Sequence, residues 1–132
     1  SEESAADNVA VIAGEFAQMV TTALSQKEVA ELLGVSASRI RQKLEAGELY
    51  AIRTTGGRVC PRFQFGSKGT LAGLEAVLRA LRPEAHPVAV QRFFMDTHPD
   101  LTSDTLNRAL SPQEWLLTGH PPEAVVILVS EV

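Results

Sequence analysis

The chain has 132 residues, enough for one folded domain or two very small ones sharing a core. Its single cysteine excludes a disulfide framework and a zinc quartet, and its 45% apolar content contains no run long enough to span a bilayer. The formal net charge of −4 excludes a chain that is basic throughout, and the absence of a signal-peptide pattern makes a cytoplasmic, reducing location the expectation.

Residues 1–8 are polar and acidic, and are expected to be frayed. From Val9 to Thr22, Val9, Ile12, Phe16, Met19 and Val20 recur at spacings of three and four, which predicts an amphipathic helix. That helix packs on its own domain or pairs with its copy. A homodimer is the expectation, since closed two-fold pairs are the commonest assembly.

The stretch from Leu24 to Phe65 is the most structured in pattern. Ser25, with Glu28 three residues on, is a capping box that opens a helix whose apolar face holds Val29, Leu32 and Leu33. Gly34 ends it. Ser36 caps a second helix that buries Ile40 and Leu44 and turns basic and polar side chains elsewhere, and Gly47 closes that helix. Residues 49–53 and 58–62 then flank Thr54-Thr55-Gly56-Gly57, a hairpin turn, with Pro61 placing its strand at an edge. Two helices joined by a short glycine turn and followed by a hairpin form a winged helix-turn-helix, so double-stranded DNA is the expected partner. Ser38, Arg39, Arg41, Gln42 and Lys43 are the candidates for reading bases. Ser25, Lys27 and Ser36 at helix starts, and Arg53, Arg58 and Arg62 along the wing, are the candidates for holding phosphates.

Charge distribution supports this. Between Leu24 and Lys68 stand eight basic residues (Lys27, Arg39, Arg41, Lys43, Arg53, Arg58, Arg62, Lys68) and four acids (Glu28, Glu31, Glu45, Glu48), whereas the remainder carries four basic residues and twelve acids. An acidic protein has concentrated its positive charge in one segment, as phosphate neutralisation requires.

Residues 65–70, with two glycines, mark the boundary between a DNA-facing part, residues 9–68, and a helical C-terminal region, residues 69–132, for dimerisation or partner binding. Phe63 and Phe65, two apart on extended chain, are expected to point into one core. Leu71, Leu74, Val77, Leu78 and Leu81 predict a helix, as do Val88, Val90, Phe93, Phe94 and Met95 after Pro87. Residues 96–104 are expected to be irregular. Ser111, Pro112 and Glu114 make a second capping box before Trp115, Leu116 and Leu117, and a last helix, Ala124 to Val132, is apolar on most faces. The fold class is therefore mainly α with a small β-hairpin: a winged helix-turn-helix plus a C-terminal helical region.

No catalytic, metal or cofactor site emerges. Asp96, His98, Asp100 and Asp104 match no calcium-loop spacing. His86 and His120 adjoin prolines in loops, Gly56-Gly57 lacks the features of a phosphate loop, and no nucleophile–base–orienter set can be assembled, so an enzyme is not expected. Cys60 is expected to be a half-buried strand residue, with a thiol activated by Arg58 and Arg62 as the alternative.

The string Glu28-Val29-Ala30-Glu31-Leu32-Leu33-Gly34-Val35-Ser36, followed by a hairpin, resembles the MerR/excisionase type of winged helix. Residues 110–119, Leu-Ser-Pro-Gln-Glu-Trp-Leu-Leu-Thr-Gly, followed by Glu123-Ala124-Val125-Val126 and an apolar end, resemble the toxin-binding domain of Xre/MbcA/ParS antitoxins. The second resemblance implies an autoregulating antitoxin that holds a RES-domain toxin, itself an NAD consumer, through Trp115, Leu116, Val125, Val126 and Val129. This sequence lacks the paired glycines that commonly precede the proline in that family; Asn107 to Leu110 stand there instead.

Overall fold

The computed structural model describes residues 2–132. Helix α1, Glu2–Thr22, begins earlier than expected, and residues 2–8 are helical rather than frayed. Glu2 and Glu3 in its first turn complement the positive end of the helix dipole, and the alanines that follow are strong helix formers. Ser1 lies outside the described residues. The first half of α1 is exposed, whereas Ile12, Phe16, Met19 and Val20 of its second half pack into the main core.

Strand β1, Leu24–Ser25, leads directly into helix α2, Gln26–Leu33. The capping box is present: Ser25 Oγ accepts from the Glu28 N–H at 3.1 Å, and the Glu28 carboxylate accepts from the Ser25 N–H at 3.0 Å. Gly34, at φ +67°, ends α2 in the left-handed conformation. Helix α3, Ala37–Glu45, is capped by Ser36, whose Oγ accepts from the Arg39 N–H at 3.1 Å. At its far end Gly47 is left-handed, and the Glu48 N–H reaches back to the Lys43 carbonyl at 2.9 Å. Val29, Ala30, Ile40 and Leu44 interlock as a small core. Leu32, expected on the buried face, is exposed, and Ala30 lies inward instead.

Strands β2, Ile52–Thr54, and β3, Gly57–Cys60, form the wing hairpin, with Arg53 opposite Arg58 and Thr54 opposite Gly57. Its strands are shorter than predicted. β3 is the middle strand of the sheet, since β1 pairs along its other side with Leu24 opposite Cys60. The expectation that Pro61 marks an edge strand is thereby corrected: Pro61 lies just past the strand and starts a 3-10 turn, Arg62–Gln64, where a missing N–H costs no ladder bond. That turn also separates the two phenylalanines. Phe63 enters the main core and Phe65 the small one, because the chain between them is helical rather than extended.

Gln64 is fully buried at this junction. Its amide oxygen accepts from the Tyr50 N–H at 2.8 Å, and its Nε2 donates to the carbonyls of Tyr50 at 2.7 Å and Pro61 at 3.0 Å. Around it Tyr50, Phe63 and Phe94 form a chain of ring contacts, with centroids 5.6 and 4.7 Å apart.

Strands β4, Phe65–Gly66, and β5, Gly69–Thr70, turn what was expected to be a loop into a second hairpin. Helix α4, Leu74–Ala80, is shorter than the predicted stripe and leaves Leu71 and Leu81 outside it, α5, Pro87–Met95, follows as predicted, and His86 caps α5 by accepting from the Val88 N–H at 3.1 Å. The segment expected to be irregular is instead strand β6, His98–Ser103, paired with β7, Arg108–Leu110, with a bulge between His98 and Thr102. Helix α6, Pro112–Leu117, opens with the predicted capping box, and α7, Glu123–Val129, packs against α4. Arg92 grips Glu15 with two hydrogen bonds, 2.9 and 2.7 Å, tying α5 to α1, and Arg108 holds Glu114 at 2.7 Å.

Replacing Gln64 with leucine strands one buried and two partly buried backbone groups and should cost about 3 kcal/mol. Thermal melting should drop by roughly 5 °C or more; a wild-type melting curve for Gln64→Leu would show that the amide holds nothing. The Arg108 guanidinium and the Ser111 N–H hold the Glu114 carboxyl down to about 2. A depressed folded-state value stabilises the fold above the ordinary carboxylate range, and the benefit disappears as pH falls toward about 2. Acid titrations of wild type and Glu114→Gln should therefore converge at low pH and separate at neutral pH, with the variant less stable there.

Candidate nucleic-acid interface

Helix α3 turns Ile40 and Leu44 inward, and at about 100° per residue this fixes what faces out. Ser38, Gln42 and Glu45 centre on the opposite side, with Arg41 and Arg39 on its two flanks. All five are exposed. Four of these side chains are linked in pairs within the helix: Arg41 donates to Ser38 Oγ at 3.2 Å, and Arg39 donates to the Gln42 side-chain oxygen at 3.4 Å. Lys43 stands apart from this group. It is half-buried beside the core face, 3.7 Å from the Glu48 carboxylate, so the expectation that it reads bases is not matched by its position.

On the wing, Arg53 and Arg58 face each other directly across the ladder. Like charges placed opposite in a sheet repel, and no acid among the described residues pairs with either one. The tip between them, Thr55-Gly56, is slim, and Thr54 Oγ1 braces it by donating to the Gly57 carbonyl at 2.6 Å. Arg62, expected on the wing, lies past the end of β3, where its Nε donates to the Thr22 carbonyl at 2.6 Å. It therefore caps the negative end of α1, and its charge is also felt by Glu28. Lys27 is exposed in the first turn of α2, while Ser25 and Ser36 use their oxygens as helix caps.

The positive charges elsewhere are mostly spent inside the protein. Arg92 is paired with Glu15, Arg108 with Glu114, and Arg82 with Glu84 and the Val132 carbonyl. Arg39, Arg41, Arg53 and Arg58 have no such ion pairs among the described residues. Segregation of charge in the sequence thus becomes segregation of unpaired charge in the structure.

Residues 17–65 match the protein family described as "DNA-binding protein Rv2175c, wHTH domain". The DNA-binding protein Rv2175c of Mycobacterium tuberculosis is 36% identical over 76 residues, which are 56% of this chain and 52% of the relative, so the chain matches about half the length of that curated relative. The NMR structure of Rv2175c superposes with a TM-score of 0.59 and 30% identity, covering 83% of this chain and 79% of that one. This chain belongs to the Rv2175c family. The family match runs from the end of α1 through the first residue of β4, and so contains α2, α3 and the wing. The structural likeness to Rv2175c extends beyond it into the C-terminal half.

The residues expected to face a partner are placed otherwise. Trp115, Leu116, Val125 and Val129 are buried in the chain's own main core, and Val126 packs against it. Trp115 stacks on His120 with centroids 4.3 Å apart and donates its indole N–H to the Pro121 carbonyl at 2.7 Å. A helix apolar on most faces is satisfied here by α4 and β6 on its two sides, which leaves Ile127 exposed. Among the described residues no three His, Cys, Asp or Glu side chains gather as a metal site; His98 and Asp100 lie 3.9 Å apart, and His98 Nδ1 already accepts from the Asp100 N–H.

Cys60 is buried opposite Leu24, and burial pushes its thiol up to about 11, outweighing the attraction of Arg58. It is therefore not the activated thiol considered from sequence. Alkylation at pH 8 should leave the native protein untouched and label it fully once guanidinium has unfolded it. Rapid labelling of the folded protein would contradict this placement.

Proposed function

We propose that this protein is a sequence-specific DNA-binding regulator of transcription. Ser38, Arg39, Arg41 and Gln42 on α3 read base edges in the major groove. Arg53 and Arg58 on the wing, with Lys27 and the helix starts at Ser25 and Ser36, hold phosphates. The observation that carries this reading is the contrast in pairing: among the described residues, four arginines on α3 and the wing lack acidic partners, while Arg82, Arg92 and Arg108 have them. Two opposed arginines on one hairpin cost energy until a polyanion lies between or beneath them. The name of the relative, DNA-binding protein Rv2175c, supports the same class of ligand.

An autoregulating antitoxin would need a free apolar surface on the C-terminal helices. Because α6 and α7 turn Trp115, Leu116, Val125 and Val129 inward, the regulator reading is preferred.

Salt titration tests the proposal. Each neutralised phosphate adds about 0.9 to the log–log slope of affinity against salt. Arg58→Ala should reduce that slope by about 0.9 and weaken selected and random duplex alike. Arg41→Ala should instead erode the preference for the selected site. Equal losses for both variants on both duplexes would refute the division of labour, and salt-insensitive binding would refute the proposal itself.

A further inference from the structure

Four acids lie in the basic segment, and two have evident structural work: Glu28 completes the α2 capping box and Glu48 pairs with Lys43. Glu31 lies on the outer face of α2. Glu45 is different. It is the last residue of α3, exposed, and aligned with Ser38 and Gln42 on the side opposite Ile40 and Leu44.

Its position is unfavourable in two ways. A carboxylate at a helix C-terminus opposes the helix dipole, and one beside a nucleic-acid backbone repels phosphates. Relief was within reach, since Arg41 stands one turn before it at a spacing that permits an ion pair. The Arg41 guanidinium is instead hydrogen-bonded to Ser38 at 3.2 Å, and Glu45 has no hydrogen-bond or ion-pair partner among the described residues.

We infer that Glu45 is a specificity-determining residue that accepts a hydrogen bond from the exocyclic amine of a cytosine in the major groove. The inference rests on the DNA-binding reading proposed above. A carboxylate can only accept. In the major groove cytosine offers a donor, its N4 amine, whereas guanine offers two acceptors, O6 and N7, which a carboxylate repels. Glu45 thus favours one base while rejecting another, a task that the neighbouring arginines cannot perform.

The test is selection of binding sites from a random duplex library by wild type, Glu45→Ala, Glu45→Gln and Arg58→Ala. Wild type should enrich a cytosine at one end of the stretch read by α3. Glu45→Ala should lose about tenfold preference at that one position, keep the others, and bind unselected duplex at least as tightly as wild type. Glu45→Gln should shift the position toward adenine, which a glutamine amide can engage with two hydrogen bonds. The same motif from wild type and Glu45→Ala would overturn the inference and leave a solvated carboxylate, with the regulator reading intact. Failure of wild type to enrich any motif or to bind duplex would bring down the regulator reading itself, and Arg58→Ala, weakened without a change of motif, separates the two cases. Matched melting curves for all variants confirm that an exposed side chain was changed without loss of fold.

Discussion

A single buried amide clamps the two ends of the wing together. Gln64 satisfies both backbone groups of Tyr50 and one of Pro61, so the chain entering the wing is bonded to the chain leaving it. Two apolar cores meet at that joint: the small one joins α2 and α3 to Leu24, Cys60 and Phe65, and the large one joins Ile52 and Phe63 to α1 and the C-terminal elements. The wing hairpin stands between them, with Ile52 in the large core and Cys60 in the small one. Buried polar groups are costly when unmet and rigid when fully met, and this one is met at three points.

What the sequence disclosed depended on whether a signal was local. Capping boxes at Ser25 and Ser111, and the glycine closures at Gly34 and Gly47, were legible because each is a short-range hydrogen-bonding device with its own residue pattern. Strand β1 was not, because two residues have no periodicity; only its pairing with β3 makes it a strand. Strand β6 was hidden by a bulge that breaks the alternation, by a proline, and by a buried Ser103 where an apolar residue would have signalled the inward face.

The candidate site shows the same division. Helical spacing placed Ser38, Arg39, Arg41 and Gln42 outward without tertiary information. Lys43 and Arg62 meet partners that no local spacing announces, Glu48 and the Thr22 carbonyl, because these are set by how separate segments meet. The apolar faces of α6 and α7 posed a harder problem: a hydrophobic pattern states that a surface must be covered but not by what. Here the cover is intramolecular.

The two-residue strand ahead of α2 has a mechanical consequence. Because Ser25 belongs both to the wing's sheet and to the cap of the helix beneath α3, no slack linker separates the hairpin from the helical pair. The pieces that would touch a duplex are thus fixed at one spacing before any encounter, so docking orders little new chain and forfeits little entropy. The same stiffness narrows tolerance: a groove of the wrong width cannot be met by bending one part alone.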